Sequence, residues 1–248
     1  MEKIYEKPNL TYFLILVFII IFLLQIYYTL VNGEDFINEL FYNYGFSFQN
    51  VLSGRVYVFL TSVFLHGDVS HLLLNMVALF FFGRVVEQGL GRKKFLLIFF
   101  MSAIVGNLAV LSSTLLGFGS AVIPTIGASA AIFGLIGTGM LVKPFEFVFY
   151  PYLIPVPLIL VALIYTLYNI AELFIVIVEG TYSNISYVSH LGGLAAGMAF
   201  GFRQEGSRKG LLVLLFLLLL LILTPFMFII FSYLEVFNYT PFLSQIFG

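Results

Sequence analysis

The fold class the sequence predicts is an all-α polytopic membrane protein, and three observations predict it. Apolar side chains make up 61% of the 248 residues and charged ones only 9%, where soluble domains carry about 25% charge. The apolar residues gather into seven blocks, four of them near the ~20 residues that a helix needs to cross hydrocarbon. The Lys and Arg between the blocks lie almost entirely on one side of the resulting bundle.

Taken in order, the first block covers 10–31 and has no small-residue cleavage pattern, so it reads as a retained spanning helix and not as a removed signal peptide. Residues 32–58 are too polar to span, with Gly33, Glu34, Asp35, Asn38, Asn43 and Asn50. The aromatics among them, such as Phe36, Tyr42 and Phe48, suit a structured outer loop lying on the membrane. Further blocks follow at 67–83, 95–116, 128–142, 156–178, 189–202 and 211–233. Those at 67–83, 128–142 and 189–202 are short and rich in Gly, Ala, Ser, His or Asn, a composition that neighbouring helices shield from lipid. The last is a nearly featureless Leu run, which suggests an appended helix. The chain therefore divides into a core over 1–209 and an additional helix with an outer tail over 210–248.

Loops that hold Lys and Arg are retained in the cytoplasm. Lys3 and Lys7, then Arg84, Arg92, Lys93 and Lys94, then Lys143, then Arg203, Arg208 and Lys209 fall before the first block and after the second, fourth and sixth. Arg55 alone falls opposite. Seven spans with a cytoplasmic N-terminus and an outer C-terminus satisfy this pattern and predict a multi-pass protein of the cell membrane. A net charge of −1 gives no reason to expect nucleic acid as a partner. The absence of Cys excludes disulfides, thiolate catalysis and Cys-ligated metals, and no cofactor or metal is called for.

Ionisable residues inside a span are expensive and mark candidate sites. The three His all sit at short blocks, and the distances to the first cytoplasmic charge agree: 13 residues from His71 to Arg84, 14 from Ser129 to Lys143 and 13 from His190 to Arg203. At about 1.5 Å per residue each is roughly 20 Å. In a core about 30 Å thick, all three lie roughly 10 Å below the outer surface. His190, Gly193, Gly197 and Gly201 form one helix stripe, and Ala130, Gly134 and Gly137 another beside Ser129. Small faces of this kind let helices touch, which would bring the Ser129 hydroxyl to the His190 imidazole. His71 and Asn75, one turn apart, project together as neutral donors. A hydroxyl nucleophile, a base and oxyanion donors, the Ser129 backbone N–H among them, are the parts of an acyl-transfer site. No Asp or Glu is evidently placed to orient His190, so the expectation is a Ser–His dyad.

These residues resemble the rhomboid family of intramembrane serine proteases, over about 54–203. The run from Phe64 to Asn75, with His66, Gly67, Asp68, His71 and Asn75, looks like the family's second-span signature. Gly83, Glu87 and Gly91 match the pattern that follows it. Gly127, Ala128, Ser129 and Ala130 look like the catalytic Ser motif, and His190, Leu191, Gly192 and Gly193 with Gly197 like the catalytic His motif. The resemblance implies a rhomboid-like six-helix bundle, here with a seventh C-terminal helix. It also implies a Ser–His dyad with His71 and Asn75 as oxyanion donors, and single-pass transmembrane proteins as substrates cut near their outer ends. Two departures stand out: Ala130 follows Ser129 where many members have Gly, and Tyr57 and Val58 stand where Trp and Arg are frequent.

Plainer readings compete. Ser129 alone could pack helices and bond its own backbone, and His71 with Asn75 could brace neighbouring helices. His66 is expected to brace the outer loop, with Gly127, Gly193 and Gly197 as structural residues near the site. Glu87 is expected to hold helix ends, and Glu172 to snorkel to the outer interface. Asn184, Ile185 and Ser186 fit a glycosylation acceptor. At the level of function, the alternatives are a non-catalytic rhomboid-like protein that binds membrane clients, and a metal-ion transporter using His66, Asp68, His71 and His190.

Overall fold

The computed structural model describes residues 9–117, 119–149, 155–179 and 186–205. The chain divides into two compact units, Met1–Ser207 and Arg208–Gly248. The predicted seventh span at 211–233 lies outside the described residues, as do Asn184 and Ile185 of the glycosylation pattern.

The first helix, α1 (Asn9–Asn32), is mostly apolar and buries one stripe, Thr11, Leu14, Phe18, Phe22 and Gln25, at the 3–4 spacing of a single helix face. Its N-terminus is closed from a distance. Glu87 accepts from Leu10 N–H at 2.9 Å and from Thr11 N–H and Oγ1 at 2.8 and 2.7 Å, so a carboxylate meets both the orphan donors and the positive end of the helix. Glu87 is fully buried, with Arg92 at 3.8 Å. It therefore holds helix ends, as expected.

The segment expected to form the outer loop is helical. It contains α2 (Glu34–Tyr44), α3 (Phe48–Leu52) and α4 (Val58–Thr61), the last running into a 3-10 turn at Ser62–Phe64. Asn50 is its hub, donating to the carbonyls of Tyr42 and Gly45 at 2.7 and 2.9 Å. Arg55 donates to Asn43 and Asn50 at 2.9 and 3.2 Å and lies over the Tyr42 ring. The one basic residue that broke the charge pattern thus anchors the loop, two positions ahead of the Tyr57 and Val58 that replace the frequent Trp and Arg.

The second span is longer than expected. Helix α5 (Val69–Ala78) passes through a π-helical turn at Leu79–Gly83 into α6 (Arg84–Leu90). Arg84 does not end it, because the guanidinium lies 4.9 Å over the Phe80 ring and the helix continues to Gly91, whose φ of 83° suits a residue without a side chain. Next come α7 (Arg92–Leu115), α8 (Ser129–Val142), a short antiparallel ribbon of β1 (Phe147–Phe149) and β2 (Pro155–Pro157), then α9 (Leu158–Glu179) and α10 (Tyr187–Glu205). The ribbon is an addition to the all-helical expectation; both of its strands are edges, where Pro155 and Pro157 are tolerated.

Four described helical stretches, Asn9–Asn32, Val69–Leu90, Arg92–Leu115 and Leu158–Val176, are long and apolar enough to cross a membrane. The short α8 is the centre of the bundle, with 12 of its 14 residues buried. That burial is what lets a Gly- and Ala-rich helix exist here. Between α8 and α10 the two small-residue stripes interlock. A Cβ on Gly193 would strike the Ala130 carbonyl, one on Gly197 the Gly134 carbonyl, and one on Gly201 would meet Leu141 Cβ at 3.0 Å. Thr138 Oγ1 adds a hydrogen bond to Gly197 O at 2.8 Å. Helix α7 closes the third side, its Gly106 facing Ala130 and Ser189.

Candidate active site

Ser129 is the first residue of α8, so its N–H has no partner within the helix and sits at the positive end of the dipole. The run into it is rigid. Gly127 has φ 111° and donates its N–H to Ser62 O at 2.9 Å. Asn107 of α7, buried, donates to Phe59 O at 3.2 Å and to Ser62 Oγ at 3.3 Å. Upstream, Phe46 and Thr125 exchange backbone hydrogen bonds at 2.9 and 2.7 Å, tying the outer loop to the same segment.

His190 lies in the first turn of α10. Its Nε2 is 2.7 Å from Ser129 Oγ, and its ring stacks on Phe133 with 4.5 Å between centroids and 8° between planes. Phe133 is one helical turn beyond Ser129, so α8 supplies both the hydroxyl and the surface on which the imidazole rests. Gly193 against the Ala130 carbonyl, and Gly197 against that of Gly134, set the helix separation that makes this contact.

The opposite side comes from α5. Asp68 caps it, accepting from the Ser70 hydroxyl and from His71 N–H, the latter at 2.8 Å. His71 Nδ1 faces Gly67 N–H at 3.5 Å, which leaves Nε2 to carry the proton. A Cβ on Gly127 would lie 2.7 Å from that Nε2 and 3.8 Å from Asn75 Nδ2. Both donors therefore aim at the bare face of Gly127, two residues before Ser129. One Asn75 Nδ2 hydrogen reaches back to His71 O at 3.0 Å, leaving the second.

His66 meets these groups through a ring contact with His71. It is fully buried, edge-on to Phe18 and to His71 with centroids at 5.7 and 5.1 Å. Gln25 of α1 clamps its backbone, donating to His66 O at 3.0 Å and accepting from His66 N–H at 3.3 Å. Its ring nitrogens have no partner among the described residues.

Two residues at the site escaped sequence reasoning. Phe133 reads as ordinary core; its position four after Ser129 was the available signal. Asn169 of α9 reads as one amide in an apolar span. It is 1% exposed, has its Oδ1 2.6 Å from His190 Nδ1, and donates from Nδ2 to Tyr187 O at 3.0 Å. Where no Asp or Glu is placed to orient His190, an amide takes that place. Glu172, expected to snorkel, accepts from the Tyr187 hydroxyl at 3.4 Å.

A family model described as the Rhomboid domain matches residues 53–205. The chain is 30% identical over 177 residues to RHOMBOID-like protein 12, mitochondrial, of Arabidopsis thaliana, covering 66% of this chain and 51% of that one. It is 30% identical over 207 residues to rhomboid protease GluP of Bacillus subtilis, covering 81% and 36%. It is 40% identical over 94 residues to Rhomboid-like protease 3 of Toxoplasma gondii, covering 38% and 32%. The chain spans about half or less of the length of these relatives. Its match to the family model runs from residue 53 to the last described helix, more than half of the chain, and the chain belongs to the rhomboid family.

Proposed function

We propose that this chain is an intramembrane serine endopeptidase that cuts single-pass transmembrane proteins near their outer ends, with Ser129 as nucleophile and His190 as base. The observation that carries this reading is the 2.7 Å contact of Ser129 Oγ with His190 Nε2 within a helical bundle. In the proposed reaction His190 takes the hydroxyl proton as Oγ bonds to the scissile carbonyl carbon. The resulting oxyanion accepts from His71 Nε2–H, the second hydrogen of Asn75 Nδ2 and Ser129 N–H. His190 then gives the proton to the departing amine as the C–N bond breaks. Water repeats the sequence on the acyl-enzyme, yielding a carboxylic acid and free Ser129.

The proposed proteolytic unit is 1–209; the segment 210–248, read from the sequence as an additional helix and tail, lies outside the described residues. The basic residues support a cell-membrane topology with the N-terminus in the cytoplasm and the C-terminus outside. Membership of the family does not by itself carry the chemistry, since one Arabidopsis relative is named an inactive RHOMBOID-like protein. What supports the catalytic reading over a client-binding one is that both Ser129 and His190 are present and in contact.

The test is incubation of the purified chain with a single-span substrate bearing small residues near its outer end. A defined cut is expected from the wild type and none from Ser129→Ala or His190→Ala. A cut that survives in both variants, or a wild type that binds the substrate and never cuts, overturns the proposal.

A further inference from the structure

We infer that Asn169 is a positioning residue that fixes the tautomer of His190, giving the Ser–His pair a neutral orienting partner. This deepens the protease reading and rests on it.

The inference follows from which atoms can donate. Tyr187 O is a carbonyl and only accepts, so the Asn169 atom 3.0 Å from it is the amide nitrogen. That fixes the flip of the side chain and turns Oδ1 toward His190 Nδ1 at 2.6 Å. Oδ1 also only accepts, so Nδ1 must carry the hydrogen. A neutral imidazole has one N–H; Nε2 is therefore left with its lone pair facing the Ser129 hydroxyl at 2.7 Å. The reverse flip would set two acceptors, Oδ1 and Tyr187 O, against each other. Burial of Asn169 at 1% exposure leaves no room for water to replace these partners. An amide whose nitrogen was free to turn toward Nδ1 would stabilise the wrong tautomer; here the Tyr187 carbonyl holds it away.

The choice of amide over carboxylate also has a physical reason. An anion at this depth carries a large desolvation cost, while a neutral carbonyl dipole still accepts from Nδ1–H in both the imidazole and the imidazolium formed during attack. Asn169 touches neither substrate nor the reacting atoms, and acts through His190. Its helix, α9, also bonds α10 through Glu172 and Tyr187 at 3.4 Å, so the ring is held from a span outside the α8–α10 pair.

The test uses the full chain with 15N-labelled histidine, plus Asn169→Leu and Asn169→Asp. Nitrogen NMR should show His190 protonated at Nδ1 in the wild type and in Asn169→Asp, and shifted toward Nε2–H in Asn169→Leu. In turnover, Asn169→Leu should lose about 10–100-fold in kcat with little change in KM, a fraction of what a general base supplies. Asn169→Asp should keep most of kcat, since burial holds it as the neutral acid, whose hydroxyl donates to Tyr187 O in place of Nδ2 while Oδ1 still accepts from Nδ1–H. An Nε2–H ring in the wild type, or wild-type kcat in Asn169→Leu, overturns the assignment. If the wild type cuts and Ser129→Ala does not, those outcomes sink only the role of Asn169. If Ser129→Ala and His190→Ala also cut, it is the protease reading that fails.

Discussion

Replacing Gly197 by Ala should separate the two helices that hold the proposed catalytic pair, and the size of the effect can be worked from the contact. A Cβ at Gly197 would stand 2.6 Å from Gly134 Cα and 2.5 Å from Gly134 C, with the Gly134 carbonyl oxygen closer still; ordinary contact begins at 3.4 Å. Bringing the Cα distance alone from 2.6 to 3.4 Å moves the backbones apart by about 0.8 Å, a lower bound because the carbonyl oxygen is nearer, and neither partner is a flexible side-chain end. Gly197 is two turns along the same face from His190, so much of that displacement reaches the 2.7 Å contact with Ser129 and stretches it beyond hydrogen-bond length. A misplacement near 1 Å costs about 100-fold in rate, and overpacking of this kind about 1–3 kcal/mol of stability. The assay is kcat on a single-span substrate beside a thermal melt in the same detergent. Wild-type kcat and melting temperature in Gly197→Ala would refute the view that this close approach sets the geometry of the site.

Other residues give further tests. Gly127→Ala should lose about 100-fold in kcat, since φ 111° disfavours a side chain and its Cβ would meet the His71 ring at 2.7 Å; labelling of Ser129 by a fluorophosphonate should fall in step. Phe133→Leu, which removes the ring stacked on His190 at 4.5 Å, should cost about tenfold in kcat with nearly unchanged melting, and Phe133→Tyr should restore it. Glu87→Gln should weaken the cap on α1 by about 2 kcal/mol, as hydrogen bonds to a charged acceptor lose that charge. Denaturation in detergent measures it, and the kcat of the folded fraction should stay at the wild-type value.

Much of the architecture was written in the sequence because the bilayer leaves few choices: an apolar run must become a helix, and small residues at 3–4 spacing must become a contact. The stripes through Gly193 and Gly134, and the pair His71 and Asn75, could be read that way. Helix ends were harder. Arg84 looked like the cytoplasmic limit of the second span, yet its guanidinium is sheltered over Phe80 and the helix runs on to Leu90. Asn169 was hidden for a different reason. Its meaning lies in a partner 21 residues away on another helix, and no local periodicity marks a single amide in a run of Leu and Ile. Arg55 likewise seemed an exception to the charge rule until its partners Asn43 and Asn50 were in view.

The long reach of Glu87 bears on how the chain is made. The carboxylate that closes the start of α1 lies 76 and 77 residues downstream of the amides it binds. At about 5–20 residues per second, the ribosome needs roughly 4–15 s to supply it. Until then the Leu10 and Thr11 amides have no access to this carboxylate, and the contact between the first two spans that it makes can close only after the segment ending the second has been made.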